Sequence, residues 1–218
     1  MGESKPIVDD GNEETIKNSE NSKSLSEGFL KEAIKLSPKP DRINDKVKSL
    51  SYEDLYAFSG DLDNLPLRFP PWKSVTYLNE YDGMIIGNLV SHPELKWKKL
   101  CVQFNNLGDA GASAILTALH VNTNLELLFL EGNQLTDTTA IVCAEMLKVN
   151  KSLKKIHLDF NRLTDVGAEA IAESLKENST LDLLDISFNK FTNRGKTLLR
   201  EAVKGKKGFS LWLNVPCP

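Results

Sequence analysis

The chain has 218 residues, of which 40% are hydrophobic, and a formal net charge of −3 at pH 7. This length allows one domain, or one domain with a tail, and the charge excludes the global basic field that drives nucleic-acid binding. The three cysteines (Cys101, Cys143 and Cys217) do not show the spacing of a disulfide framework, and the N-terminal residues do not form an apolar leader. Both observations favour a reducing, cytoplasmic setting, with a nuclear or axonemal location as the open alternative. No apolar run approaches the about 18 residues of a membrane-spanning helix, so we expect no membrane partner.

The first 68 residues divide into a tail and a helical segment. Residues 1–24 are polar and charged, and we expect them to be disordered because they cannot bury enough apolar surface to offset the entropy of ordering. Residues 25–68 are predicted to form a short helical N-terminal cap. Its first part, Leu25 to Leu36, has apolar residues at helical spacing and either packs on its own domain or folds on a partner. A second short helix is predicted from about Tyr52 to Phe58.

A motif of alternating aliphatic residues that ends in N-x-L or N-x-F occurs four times. The copies begin at Trp97, Leu125, Leu153 and Leu181, each 28 residues after the previous one. A fixed period of this length is typical of a solenoid, in which identical units stack on one another. Residues 97–203 therefore form four regular repeats, and residues 69–96 form a degenerate capping repeat, with Gly83 placed 28 residues before Gly111.

Each repeat is predicted to contain a strand, a turn and a helix. In the third copy, Ile156 and Leu158 alternate with polar residues, which is typical of a half-buried strand. The turn carries an asparagine in every copy, and these amides are expected to form a ladder that satisfies buried turn backbone. The four ladder residues are Asn105, Asn133, Asn161 and Asn189.

Polar residues near the start of each helix suggest how the helices begin. We predict helix caps at Asp109, Asp137, Asp165 and Asn193. Apolar stripes such as Ala170, Ile171, Ser174 and Leu175 then occupy one helix face. A glycine column at the first turn permits close packing, and Thr139 interrupts it, so the second repeat is expected to pack more widely. Residues 204–218 are predicted to be a closing parallel strand, with Leu211 and Leu213 inward, and an exposed tail.

These repeats resemble the leucine-rich repeat family, and their spacing is similar to that of its ribonuclease-inhibitor-like subfamily. The resemblance implies an α/β leucine-rich repeat solenoid, a curved right-handed βα array with a parallel sheet on the concave face and helices on the convex face. Members of the subfamily include inhibitors, immune-receptor sensor regions, GTPase activators, and cytoskeletal or axonemal scaffolds. The resemblance therefore indicates the fold more narrowly than the function.

In that geometry three columns of side chains project from the concave face. The third place of the motif holds Lys99, Leu127, Lys155 and Leu183. The fifth place holds Cys101, Phe129, His157, Asp185 and, from the closing strand, Trp212. The seventh place holds Gln103, Glu131, Asp159 and Ser187. Aromatic anchors among acidic residues are typical of interface hot spots, so we predict that these residues bind a protein partner.

Phe104, Phe160 and Phe188 follow the strands in an eighth column, and we interpret them as a structural stack along the ridge rather than a binding site. Cys101 and His157 lie two strands apart, about 10 Å, which is too far for the proton transfer of about 3 Å in a catalytic dyad. His157 and Asp185 are neighbours and are expected to form a charge-assisted hydrogen bond. No metal-ligand spacing, phosphate loop or paired-carboxylate site is evident, so we expect no metal and no cofactor.

The sequence therefore predicts a non-enzymatic adaptor or scaffold that binds a protein partner on the concave face. We expect a monomer with no nucleic-acid partner and no small-molecule substrate. Two alternatives stay open: a regulator of an enzyme, such as a small-GTPase activator or an inhibitor, and a structural component of a cytoskeletal or axonemal assembly.

Overall fold

The computed structural model describes residues 31–36, 40–42, 77–94 and 96–213. Five short parallel strands form one sheet in chain order: β1 (Lys99–Cys101), β2 (Leu127–Phe129), β3 (Lys155–His157), β4 (Leu183–Asp185) and β5 (Ser210–Trp212). A helix precedes each strand: α1 (Glu80–Val90), α2 (Gly108–Ala118), α3 (Asp137–Val149), α4 (Asp165–Glu177) and α5 (Asn193–Ala202). The predicted disordered segment 1–24, the predicted helix near Tyr52–Phe58 and the tail beyond residue 213 lie outside the described residues.

The strand register follows the spacing of the motif. Lys99 pairs with Leu127, Leu127 with Lys155, and Lys155 with Leu183. The last pair, Leu183 with Ser210, is one residue closer in sequence than the others. This shorter step turns Leu213 into the core and leaves Trp212 exposed.

The core lies between the sheet and the helices. The central residue of each of the first four strands is fully buried: Leu100, Leu128, Ile156 and Leu184. In α4, Ile171 and Leu175 are buried with Ala168 and Ala172, whereas Ala170 is only half-buried. Ser174 is also buried, so three of the four predicted residues face the core, and the buried surface widens to Ala168 and Ala172 because the helix packs against both neighbouring helices as well as against the sheet.

The predicted asparagine ladder is present. Asn161 Nδ2 donates to the backbone oxygens of Leu130, Leu158 and Asp159 at 3.0–3.1 Å. Its Oδ1 accepts from the backbone nitrogens of Asn133 and Leu135, both at 3.0 Å. Each amide thus satisfies its own turn and joins it to the preceding repeat, which removes the cost of burying unpaired backbone groups.

A second asparagine ladder, not predicted from the sequence, lies at the other end of the helices. Asn150 Nδ2 donates to Leu119 O at 2.8 Å, and its Oδ1 accepts from Leu153 N at 2.8 Å. Asn122 and Asn178 make the equivalent bonds. In the last repeat Lys206 takes this place, and its Nζ donates to Asn178 O at 2.6 Å.

The predicted aspartate caps are wrong. The capping residues are Thr136, Thr164 and Thr192, and α2 begins after Leu107 without a side-chain cap. Asp109 instead reaches the next repeat, where it accepts from Thr136 N at 2.8 Å and from Thr136 Oγ1 at 2.6 Å. Asp137 and Asp165 stand at the first helical position and Asp109 at the second, so their carboxylates lie beyond the cap position and bind the threonine caps of the following repeat.

The glycine column serves this aspartate ladder as well as helix packing. A Cβ on Gly167 would stand 2.6 Å from Asp137 Oδ1, and the Gly167 N–H donates to that oxygen at 3.0 Å. Thr139 replaces the glycine in the second repeat, and its buried hydroxyl donates to Asp109 Oδ1 at 2.5 Å. Helices α2 and α3 contact each other less extensively than the other neighbouring helix pairs, in the direction expected for wider packing.

The N-terminal side of the array is closed by α1 and by parts of the preceding segment. Asn79 caps α1 in a reciprocal arrangement with Asp82, whose Oδ2 accepts from Asn79 N at 2.8 Å. The Asn79 amide also donates to Arg42 O at 2.8 Å. Residues 31–35 are helical, with Ala33 buried in the core and Ile34 packed against it. This part of the amphipathic segment therefore packs on its own domain.

The contact between α1 and α2 gives a stability prediction. A Cβ on Gly83 would stand 2.6 Å from the Cα of Gly111, which is a backbone atom and cannot move aside. We expect Gly83→Ala to lower the free energy of unfolding by about 2 kcal/mol, because the cost of overpacking exceeds the gain in helix propensity. Urea unfolding followed by circular dichroism measures the change. Asn88→Ala on the exposed face of α1 is the control and should change stability by less than about 0.5 kcal/mol; equal effects would contradict the close-packing explanation.

Candidate functional site

The concave face is formed by the strand side chains that point away from the helices, together with the residues just after each strand. In β1 and β2 the burial pattern places the middle residue in the core and the flanking residues at the surface. Lys99, Leu127 and Leu183 are half-buried there, and Lys155 is exposed. Cys101 and Gln103 lie at the β1 edge of this face, both half-buried.

An aromatic row crosses the centre of the concave face. The rings of Phe129 and His157 stack with centroids 4.6 Å apart and planes 16° apart. Trp212 approaches the His157 ring edge-on, with centroids 6.3 Å apart, and remains 43% exposed. Lys99 Nζ lies 5.3 Å from the centre of the Phe129 ring, within the range of a cation–π interaction. The row combines a rigid apolar surface with a cationic group at its edge.

Acidic groups surround His157 within this row. His157 Nδ1 lies 3.8 Å from Asp185 Oδ2 and 4.0 Å from Asp159 Oδ1. The predicted hydrogen bond between His157 and Asp185 is wrong, because 3.8 Å exceeds hydrogen-bond length. Asp185 uses its other oxygen, Oδ1, to accept from Ser187 Oγ at 2.7 Å and from Ser187 N at 3.0 Å. Ser187, rather than His157, therefore hydrogen-bonds to the Asp185 carboxylate.

Three of the residues predicted to project from the concave face are buried. Ser187 is 1% exposed, Asp185 7% and Asp159 8%. Asp159 and Ser187 each lie two residues beyond the end of a strand, where the chain turns away from the sheet. A partner on this face would touch Phe129, Trp212 and Lys155 directly, whereas these three buried groups would act mainly through their charge and hydrogen bonding.

Burial changes the pKa values of groups on this face. Burial, and then repulsion from the Asp185 carboxylate, raise the pKa of Asp159 to about 6. Burial also lowers the pKa of His157, although the charge of Asp185 opposes that shift. Burial is the main cause of both shifts, because it disfavours the charged form of a carboxyl group and of an imidazole alike.

Cys101 has no local activation as a nucleophile. Burial raises the pKa of its thiol, with Lys99 opposing the shift. Its strand is separated from that of His157 by β2, and adjacent strands lie about 4.8 Å apart. A neutral thiol at this separation from the imidazole has neither the ionisation nor the proton acceptor that a cysteine nucleophile needs.

The ridge beside the concave face carries three aromatic residues in the left-handed backbone region, namely Phe104, Phe160 and Phe188. Phe160 and Phe188 stack with centroids 4.3 Å apart, and Phe104 approaches Phe160 at 6.3 Å. Gly132 occupies this column between them, and a Cβ there would stand 2.5 Å from the Phe104 ring. The missing side chain lets Phe104 reach across a whole repeat, so the ring stack predicted from the sequence is present.

One combination of side chains differs from the expectation that no metal-ligand set exists. Glu131, His157 and Asp159 each offer a ligand atom, and these atoms lie within 4.8 Å of one another. Motif spacing does not reveal this group, because its members come from two columns and from adjacent strands. The sequence could have identified the group if residues on neighbouring strands had been compared diagonally. Residues two places out of register on adjacent strands lie within about 8 Å of each other.

Comparison with known proteins agrees with this architecture. The Leucine Rich repeat family model matches residues 98–116 and 149–172. A search of curated proteins by sequence finds no match. Among solved structures, the actin-binding site 2 region of leiomodin-1 is similar with a TM-score of 0.52 and 23% identity, over 63% of this chain and 80% of that chain. The tropomodulin C-terminal domain of Caenorhabditis elegans is similar with a TM-score of 0.55 and 12% identity, over 62% of this chain and 84% of that chain.

The fold is therefore an α/β leucine-rich repeat solenoid, and the family model matches two stretches within it. At these identities the similarity to the two solved structures shows the fold alone. Within the described part of the chain, no helix is both long enough and apolar enough to cross a membrane.

Proposed function

We propose that this protein is a non-enzymatic protein–protein interaction module, an adaptor or scaffold that binds its partner on the concave face. The observation that carries the proposal is the aromatic row of Phe129, His157 and Trp212, which ends in a tryptophan that is 43% exposed. Stacking of repeats does not require an exposed indole at this position. Aromatic side chains in the centre of a surface, bordered by charged groups, are typical of interface hot spots.

The chemistry of the row indicates what kind of partner it would accept. Leu127 and Leu183 extend the apolar surface on one side, and the buried carboxylates of Asp159 and Asp185 lie near His157. Lys99 and Lys155 add positive charge at its border. We infer a partner segment with an apolar or aromatic anchor that packs on the row of Phe129, His157 and Trp212, with polar groups at its rim.

A catalytic role is not supported by the arrangement of the reactive groups. Cys101 and His157 stand on non-adjacent strands, and the His157–Asp185 separation of 3.8 Å gives no hydrogen-bonded base and orienting residue.

The proposal therefore has the protein act by binding, as a monomer in the cytoplasm. It also assigns the repeats to the ribonuclease-inhibitor-like type, on the basis of helices of 10 to 13 residues in the regular repeats.

A second candidate is a component of a cytoskeletal assembly. It is favoured by the similarity to the leiomodin-1 and tropomodulin structures, the first of which is an actin-binding region. Co-sedimentation of the full chain with actin filaments tests this candidate directly, since a filament-binding protein would enter the pellet with actin and stay in the supernatant without it. The third interpretation, a regulator of an enzyme such as a small GTPase, stays a prediction of the sequence.

Replacing Phe129 and Trp212 with Ala together should weaken partner binding by about 1,000-fold, because hot-spot truncations each cost about 2 kcal/mol or more and about 1.4 kcal/mol corresponds to a factor of ten. The measurement is affinity capture with the full chain and mass spectrometry, followed by calorimetric titration of the purified partner. The matched control is Ile141→Ser with Val166→Ser, which changes two exposed apolar residues on the helices. If the helix variant loses the partner and the concave variant keeps it, the concave-face proposal is wrong.

A further inference from the structure

Three ligand-type atoms meet beside the aromatic row, one each from Glu131, His157 and Asp159. They lie within 4.8 Å of one another, and the His157 Nδ1 to Asp159 Oδ1 distance is 4.0 Å. An ion centred between three atoms with this spacing lies at most about 2.8 Å from each, whereas zinc–nitrogen and zinc–oxygen bonds are about 2.0–2.2 Å. A contraction of well under 1 Å by side-chain rotation would therefore bring all three atoms to bonding distance.

The second observation is an unsatisfied carboxylate oxygen within the group. Asp159 is 8% exposed, and its Oδ1 has less than 1 Å² of accessible surface and no hydrogen-bond partner among the described residues. This oxygen is the one that faces His157 Nδ1. Buried polar atoms are rarely left unpaired, and each such atom in a folded protein calls for an explanation. A cation between Asp159 and His157 would supply the missing partner.

The charge around this oxygen also favours a cation. The Asp185 carboxylate also approaches this imidazole nitrogen, with Oδ2 3.8 Å from Nδ1. Three carboxylates, those of Glu131, Asp159 and Asp185, thus surround one imidazole ring. A divalent ion would reduce the repulsion between the carboxylates and would use the imidazole as a ligand, which the ring can provide only in its neutral form.

The size of the space distinguishes a metal ion from a partner's side chain. Water cannot reach Asp159 Oδ1, so a guanidinium or ammonium group, which is at least as large as water, cannot reach it without rearrangement. A metal ion binds at a shorter distance than a hydrogen-bond donor does, about 2.1 Å against about 2.9 Å. Imidazole among the ligands favours transition metals, since magnesium and calcium prefer oxygen ligands alone.

We propose that Glu131, His157 and Asp159 bind one divalent transition-metal ion on the concave face, with zinc as the representative ion and solvent or a partner group completing its coordination. The site lies against the Phe129 ring through the stacked imidazole of His157. Metal binding here goes beyond partner binding, because it needs no partner and can be measured on the protein alone.

The test is equilibrium dialysis of the chelator-treated full chain against Zn²⁺ at pH 7.5. Cys101→Ser and Cys217→Ser are introduced first so that these thiols do not bind the metal. We expect one equivalent of zinc per chain. His157→Ala and the isosteric Asp159→Asn should each weaken binding by at least about 100-fold, since even the loss of a residue that only orients a ligand costs 10–100-fold.

The control is His120→Ala, which removes an exposed histidine from outside the site and should leave zinc binding unchanged. Circular dichroism of each variant checks folding, and Asp159→Asn keeps the test decisive if His157→Ala unfolds. Visible absorption of bound Co²⁺ would show whether an imidazole and carboxylates coordinate the ion. Absence of zinc binding, or binding that persists in Asp159→Asn, overturns the proposal and leaves the partner-binding role of Phe129 and Trp212 untouched.

Discussion

Replacing Asn161 with Ala is expected to lower the free energy of unfolding by about 4 kcal/mol or more. The amide of Asn161 makes five hydrogen bonds, three as a donor and two as an acceptor, and all of them are to backbone atoms. Alanine would leave these groups buried without partners, at about 1–3 kcal/mol for each that water cannot reach. Urea unfolding monitored by circular dichroism and by tryptophan fluorescence measures the loss.

Asn106→Ala is the matched control for this substitution. Asn106 is exposed, and its side chain accepts one hydrogen bond, from Gln134 Nε2 at 2.8 Å. Its replacement should change stability by less than about 0.5 kcal/mol, as is usual at exposed positions. A loss below about 1 kcal/mol for Asn161→Ala would mean that water satisfies the turn backbone and that the ladder contributes little to the fold.

Replacing Asp109 with Ala should destabilise the protein by about 2 kcal/mol, because one carboxylate accepts three hydrogen bonds from the next repeat. The donors are Thr136 N, Thr136 Oγ1 and the buried Thr139 Oγ1. Alanine would leave the Thr139 hydroxyl unpaired inside the α2–α3 contact. Asp182→Ala, at an exposed position outside the ladder, is the control and should have little effect. A similar loss for both variants would contradict the role of the ladder.

This contribution should also depend on pH. Burial raises the pKa of Asp109, but the hydrogen bonds from Thr136 and Thr139 outweigh it and hold the pKa below its ordinary value of 3.8. Because the folded pKa is the lower one, the stabilisation is fully present above pH 3.8 and is lost as pH falls through the folded value. The stability difference between the wild type and Asp109→Ala should therefore stay constant from neutral pH down to about pH 5 and shrink below about pH 4.

The sequence predicts the framework of this fold because the framework is periodic. Ile156 and Leu158 alternate with polar neighbours, and Asn161 recurs in every copy, so strand, turn and ladder follow from repetition alone. The aspartate ladder was missed for a physical reason: Asp109 lies in the first helical turn, where an acid is also favourable for its own helix. The recurrent Thr-Asp pair, as in Thr136-Asp137, is the signal that separates the cap from the ladder.

The concave face was less predictable than the framework. The columns correctly bring Phe129, His157 and Trp212 into one row, because the register is fixed by the repeats. The motif columns do not predict how buried a side chain is where the chain leaves the strand. The burial of Asp159 and Ser187 was therefore not predicted. The columns also omit diagonal neighbours on adjacent strands, so the grouping of Glu131 with His157 and Asp159 is evident only from the structure.

The ladders also determine which changes of chain length this protein can accept. Each ladder joins chemically equivalent atoms of successive repeats, as Asn133, Asn161 and Asn189 do through Val102, Leu130 and Leu158. Duplicating or removing one whole repeat would keep every donor opposite its acceptor, whereas a single inserted residue inside the array would shift the ladders out of alignment. The one-residue shortening before β5 occurs after the last ladder residue, where no further repeat has to be matched. Length variation should therefore be tolerated in steps of a full repeat within the array and in single residues only at its end.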